Sequence, residues 1–157
     1  MANQLVAIRN RHCVFTIPEE LRHIFKEKRT LLNGLFEAVR SVVSRIFYSL
    51  NRSKNFTPRF ICVLHTFRRA LERNPHIHCP ISEGGHSNDG EWRNIRYFNY
   101  KLLRESFRTV LLNELEAHLG SSFKRIKAQM YKLHNKVFYF YAKTSLANPK
   151  TATRYIE

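Results

Sequence analysis

Two short stretches, RFICVLHTF at residues 59–67 and NPHIHCPI at residues 74–81, decide how the chain is read. Each is rich in β-branched, aromatic and aliphatic residues, and each is only seven to nine residues long once its polar flanks are removed. That composition suits a buried strand. The basic connection at residues 68–74 is short enough to join them as an antiparallel pair. Along the second strand, His76 and His78 stand two residues apart, so both imidazoles project from one face while Ile77 projects from the other.

Working outward, residues 11–17 (RHCVFTI) form another β-rich run, stopped by Pro18. The period then changes. Leu32, Leu35, Phe36, Val39, Val42, Val43, Ile46, Phe47 and Leu50 recur at spacings of three and four, the stripe of a long amphipathic helix. A polar loop follows at residues 51–58, and residues 82–90 (SEGGHSNDG), with three of the five glycines, predict a second loop. Helical spacing returns from Asn99 to Leu119 and ends at Gly120, and residues 121–133 predict a further basic helix. Residues 136–143 (KVFYFYAK) predict a central strand. Asn148-Pro149 then supplies an N-cap and a first-turn proline for a last helix carrying Tyr155. Strands grouped in hairpins with long helices between them give an α+β fold, helices packed on a mainly antiparallel sheet, as a single domain over residues 1–157.

The charge narrows the partners. Against 27 Lys plus Arg stand 12 Asp plus Glu, a net charge of +15. A folded domain this basic calls for a polyanion, and nucleic acid fits. A membrane partner is excluded from this reading, because no apolar run approaches the ~20 residues of a spanning helix. Cys13, Cys62 and Cys79 form no CxxC pair and lie in apolar stretches, so they read as small buried hydrophobes in a reducing, cytoplasmic setting.

His76 and His78 supply half of a divalent-metal site. The alternative is two ordinary histidines on a solvated strand face. His65 is the candidate third ligand if the strand register brings it opposite the pair; otherwise it is a core histidine beside Leu64 and Phe67. A nucleotide hydrolase with three alternating histidines is excluded, since the third position is Pro80. A structural zinc site is disfavoured by the scattered cysteines. Tyrosine is the other chemical group. Tyr155 lies where a nucleophile could face the sheet, whereas Tyr139 and Tyr141 suit sheet packing and Tyr131 is a remote candidate.

The runs RHCVFTIPEELR, TPRFICVLHTF, NPHIHCPISEGG and YAKTSLANPKTATRYIE, which together span nearly the whole chain, closely resemble rolling-circle transposases of the insertion sequence ninety-one type. These belong to the HUH endonucleases, named for a His-hydrophobic-His pair. The resemblance implies a sheet of about five antiparallel strands with flanking helices. It implies that His76, His78 and His65 hold Mg²⁺ or Mn²⁺. Tyr155 would attack single-stranded DNA at the transposon ends, leaving a 5′-phosphotyrosine and a free 3′-hydroxyl. Arg68, Arg69, Arg73, Lys124, Arg125 and Lys127 are the candidates for the DNA backbone track, with surface aromatics for base stacking. Full-length members carry a cysteine-rich zinc-binding region and often a second tyrosine four residues after the first. The expectation is therefore a catalytic core shortened at both ends. The alternative is a DNA-binding fragment that no longer cuts. Pro80 departs from the family pattern, and in a central strand it removes a ladder N–H.

Overall fold

The structure is a computed structural model that describes residues 9–50, 56–67, 73–95, 99–133 and 140–145, with only the backbone path at 50, 56, 57 and 140–145. The described elements run β1 (Asn10–Thr16), α1 (Arg22–Glu27), α2 (Leu31–Leu50), β2 (Phe56–Phe60), β3 (Val63–Phe67), β4 (Arg73–Ser87), β5 (Trp92–Asn94), α3 (Tyr100–Leu119), α4 (Lys124–Leu133) and β6 (Phe140–Ser145). All the strand pairings described are antiparallel, and they join six strands into one sheet. The expected α+β architecture is the one observed.

β4 is the centre of this sheet. One edge pairs with β2 and β3; the other pairs first with β1 and then, beyond Ser82, with β5. The predicted strand at residues 59–67 is divided, and Pro80 explains the division. Phe60 opposes Ile81 and Val63 opposes His78, so β2 and β3 keep one register across the gap. Within the gap the Ile61 N–H still donates to the Pro80 carbonyl at 3.3 Å. The reciprocal bond cannot form because proline has no N–H. The ladder is therefore interrupted for two residues without a shift in register.

Two expectations need correction. Residues 82–87 are strand, not loop: β4 continues through both glycines to Ser87 and pairs with β5. Gly84 is required there because a Cβ would lie 2.2 Å from the Arg93 carbonyl oxygen and 2.9 Å from the Trp92 ring. Glycine thus admits a close cross-strand neighbour where it was read as a turn former. The C-terminal aromatic strand is not central either. Among the described residues, β6 pairs only with β1 and ends the sheet. The tyrosine candidate Tyr155 and its helix lie outside the described residues, as do Arg68 and Arg69.

One face of the sheet carries the core. Cys13 and Phe15 of β1 and Ile77, Cys79 and Ile81 of β4 are fully buried against the helices. α2 contributes Leu35, Val39, Val42, Val43 and Phe47, and α3 contributes Leu103, Phe107, Leu111 and Leu115. The Phe15 and Phe107 rings meet edge to face at 5.1 Å. α3 begins as the sequence predicts, with the Asn99 side chain accepting from the Leu102 N–H at 2.9 Å, and ends at Gly120, where φ is +76°. The three cysteines lie on this apolar face and are free thiols, Cys13 and Cys79 buried and Cys62 half-buried. Among the described residues no helix is long and apolar enough to cross a membrane.

Candidate metal centre

The opposite face of the sheet carries histidines. Burial alternates along the middle of β4, with Ile77, Cys79 and Ile81 inside and His76, His78 and Pro80 half-buried on the other side. The register left open by the sequence is settled by the β3–β4 pairing, in which His65 stands directly opposite His76. His65 therefore shares the face of the pair. One nitrogen from each of His65, His76 and His78 lies within 4.8 Å of the others, a grouping able to hold a metal ion. The ring centroids are 4.1 Å apart for His65 and His78 and 4.9 Å apart for His76 and His78.

A fourth histidine escaped the sequence reading. His12, on β1, brings its Nε2 to 2.8 Å from Nδ1 of His78. It lies two residues from Val14, the direct partner of His78, so it is a diagonal neighbour on the same face. Only the antiparallel pairing of a strand more than sixty residues away makes this contact. The available signal was the parity of residues 11–17: His12 alternates with Cys13 and Phe15, which face the core.

The ring nitrogens are already sorted. Nδ1 of His76 lies 2.6 Å from the Asn74 carbonyl oxygen, which can only accept, so that nitrogen carries a hydrogen and, in the neutral ring, the lone pair is on Nε2. Burial, followed by the nearby charges of His65, His12 and His76, pushes the His78 imidazole down to about 4. Burial and then His65 also lower His12. Near neutral pH, His78 and His12 are therefore uncharged, as metal ligation demands of an imidazole. The donor set fits a divalent ion. Imidazole nitrogens bound as neutral ligands would leave the ion its full charge, and they suit Mn²⁺ better than Mg²⁺, which prefers oxygen.

This has a consequence for stability. An unfolded histidine titrates near 6.5. Below that pH the unfolded chain takes up protons that folded His78 and His12 refuse, so stability falls as pH falls. The contribution is fully present above about 6.5 and is lost progressively down to about 4, the folded value of His78. Thermal melts of the metal-free chain are expected to show Tm dropping across that window. The drop should shrink in His78→Gln, and an unchanged slope in that variant would remove His78 as its source.

The basic candidates are dispersed. Arg73 opens β4 three residues before His76; its guanidinium is half-buried and reaches the Phe25 carbonyl at 3.5 Å. Lys124, Arg125 and Lys127 sit on α4, which packs on α3 and inserts Met130 into the core. They therefore belong to the helical layer, on the far side of the sheet from the histidines. Lys127 is bound to Glu116 at 2.5 Å and to Asn113 at 2.7 Å, tying α4 to α3, while Lys124 and Arg125 are exposed. Next to the histidines are two exposed apolar side chains. Ile61 and Phe67 are 57% and 55% exposed, and Phe67 lies two residues beyond His65 on β3, past a shift in the β3–β4 register.

Comparison with known proteins places the chain among transposases. The chain is 27% identical over 165 residues to the putative transposase y4qJ of Sinorhizobium fredii, covering 92% of the chain and 41% of that relative. It is 32% identical over 93 residues to the transposase for insertion sequence element IS801 of Pseudomonas savastanoi pv. phaseolicola, covering 59% of the chain and 22% of that relative. It thus spans less than half the length of either. The conjugative relaxase TrwC, in its metal-free complex with oriT DNA, shares the fold at a TM-score of 0.50 and 17% identity, over 68% of this chain and 43% of that one. This likeness agrees with the HUH-type sheet that the resemblance implied. The profile of the Y2_Tnp family, described as "Putative transposase", matches residues 60–157, which include His65, His76, His78 and the C-terminal Tyr155, and the chain belongs to that transposase family.

Proposed function

We propose that the chain is the DNA-cutting core of a rolling-circle transposase, which nicks and rejoins single-stranded DNA by metal-assisted attack of Tyr155. The observation that carries this reading is the grouping of His65, His76 and His78 on the face of the sheet away from the described helices, in a member of a transposase family. A bound Mn²⁺ or Mg²⁺ would polarise the scissile phosphate and offset the charge that develops during in-line displacement. The three histidines would hold that ion from two adjacent strands, with His65 on β3 and the other two on β4. The Tyr155 hydroxyl would lose its proton as its oxygen bonds to phosphorus, the P–O3′ bond would break, and the departing 3′-oxygen would take a proton. The resulting phosphotyrosine conserves the phosphodiester bond energy, so rejoining needs no nucleotide cofactor. Oligomeric state does not enter this scheme.

The placements refine the proposed DNA track. Arg73, with Arg68 and Arg69 before it in sequence, is the basic group nearest the histidines along the chain. Lys124, Arg125 and Lys127 would serve only DNA that wraps onto the helical layer. Phe67 is the described aromatic best placed to stack a base beside the ion. Stacking of this kind contributes about 1–3 kcal/mol per base. Phe67→Ala is therefore expected to weaken single-stranded oligonucleotide binding by roughly 5- to 150-fold. Fluorescence anisotropy at fixed salt would check this, and unchanged affinity would move base contact elsewhere.

The central test is incubation of the chain with labelled single-stranded transposon-end DNA and Mn²⁺, followed by a denaturing protein gel. A covalent band is expected that disappears with EDTA and with Tyr155→Phe. No band, alongside salt-sensitive DNA binding, would establish instead a domain that holds DNA without cutting it.

A further inference from the structure

We propose that His12 is a positioning residue for His78: its Nε2 accepts the proton on Nδ1 of His78 and so keeps the Nε2 lone pair of His78 free for the ion. The role in metal binding rests on the metal-centre reading above; the hydrogen-bond direction between the two rings does not.

The two rings approach at 2.8 Å, nitrogen to nitrogen, with centroids 4.9 Å apart and planes inclined by 30°. At that distance one nitrogen carries hydrogen and the other presents a lone pair, since two lone pairs or two N–H groups would repel. His12 lies outside the group of three whose nitrogens converge, and it contacts His78 through Nδ1. This is the relation of a supporting residue to a ligand.

His76 sets the precedent within the same site. Its Nδ1 is engaged by the Asn74 carbonyl at 2.6 Å, a group that can only accept, so Nδ1 carries a hydrogen and Nε2 would be the ligating nitrogen. On a strand, no backbone carbonyl plays that part for both i and i+2 side chains automatically. For His78 the corresponding contact is supplied from β1 by His12. The two ligands of the pair would then both present Nε2, one oriented by main chain and the other by an imidazole. A neutral histidine left alone favours the tautomer with hydrogen on Nε2, the wrong one for an Nε2 ligand. His12 reverses that preference. As with other residues that orient metal ligands, its loss is expected to cost roughly 10- to 100-fold in metal affinity.

Two measurements test this on the whole chain. Long-range ¹H–¹⁵N correlation spectra of the metal-free protein should show His78 protonated on Nδ1, and His12→Phe should return it towards the Nε2–H form. Calorimetric titration with Mn²⁺ should show affinity falling about 10- to 100-fold in His12→Phe. The loss should be smaller in His12→Gln, whose amide oxygen can still accept. The Co²⁺ absorption bands should keep their positions in His12→Gln, because the ligand set is unchanged.

An Nε2–H tautomer at His78 in the unaltered chain would overturn the proposal. Equal Mn²⁺ affinity in His12→Phe would do the same. Altered Co²⁺ bands in His12→Gln, with equal losses in both variants, would make His12 a ligand and also overturn it. Failure of the unaltered chain to bind either metal would sink the metal-centre reading instead, while the tautomer spectra would still decide the direction of the His12–His78 hydrogen bond.

Discussion

His76→Ala is expected to abolish formation of the covalent protein–DNA adduct while leaving single-stranded DNA binding largely intact. In the proposed centre His76 would serve both halves: it shares β4 with His78 and stands directly opposite His65 on β3. Removing it leaves two imidazoles in place of three, too few to fix an ion against a phosphate. A metal ion that stabilises charge in a transition state is worth several kcal/mol. Each 1.36 kcal/mol is tenfold in rate, so the adduct should form at least about 1,000-fold more slowly. Protein stability should change little, because the side chain is half-buried and its hydrogen bond to Asn74 spans only two residues. The Tm and the anisotropy titration therefore serve as controls beside the gel. Adduct formation at an unaltered rate, or equal activity in EDTA, would show that the histidines do not act through a metal.

Much of this site was legible in the sequence because it rests on a local period. The two-residue repeat of a strand places His76 and His78 together wherever the strand lies, and the Cys79–Ile81 alternation identifies the face they avoid. His65 required one further assumption, an antiparallel pairing, and its register decided the matter. His12 was not legible. It belongs to the site only because β1 inserts between β4 and β6, a choice made by the whole sheet. The same limit explains the glycine-rich segment. Gly84 and Gly85 read locally as a turn, yet the close approach of Trp92 and Arg93 from β5 is what requires a residue without a side chain at position 84. Composition misled in the opposite sense for the aromatic strand, whose described part, β6, pairs only with β1 among the described residues. Aromatic and β-branched residues report burial, and burial does not make a strand central.

Pro80 shows how a local rule can hold and still not break the fold. Proline does sit in the central strand and does remove a ladder hydrogen bond. The break falls on the β2–β3 side, and the β1–β4 register runs without a shift from Asn10↔Ser82 to Thr16↔His76. The site is thus held from the β1 side, which is also the side that carries His12.

This makes the anchoring of β1 the most consequential feature of the core, and Phe15→Ala should therefore be the most destabilising of the substitutions considered. Phe15 is fully buried on the helical face of β1 and meets Phe107 of α3 edge to face. Alanine would remove the ring, lose the aromatic contact and leave a void between sheet and helix. Phenylalanine-to-alanine changes in cores cost about 3–5 kcal/mol. For a chain of this size, at roughly 2–4 °C per kcal/mol, Tm should fall by about 6–20 °C. Phe15→Leu fills most of the void and should cost well under half as much. The neighbours of Phe15 on β1, Val14 and Thr16, pair with His78 and His76. Loosening this strand should therefore weaken Mn²⁺ binding as well, although Phe15 itself faces away from the histidines. A Tm loss below about 3 °C in Phe15→Ala would mean that α3 can close onto the sheet without the ring. The β4 ladder, and not the β1–α3 contact, would then be what holds the histidine face in register.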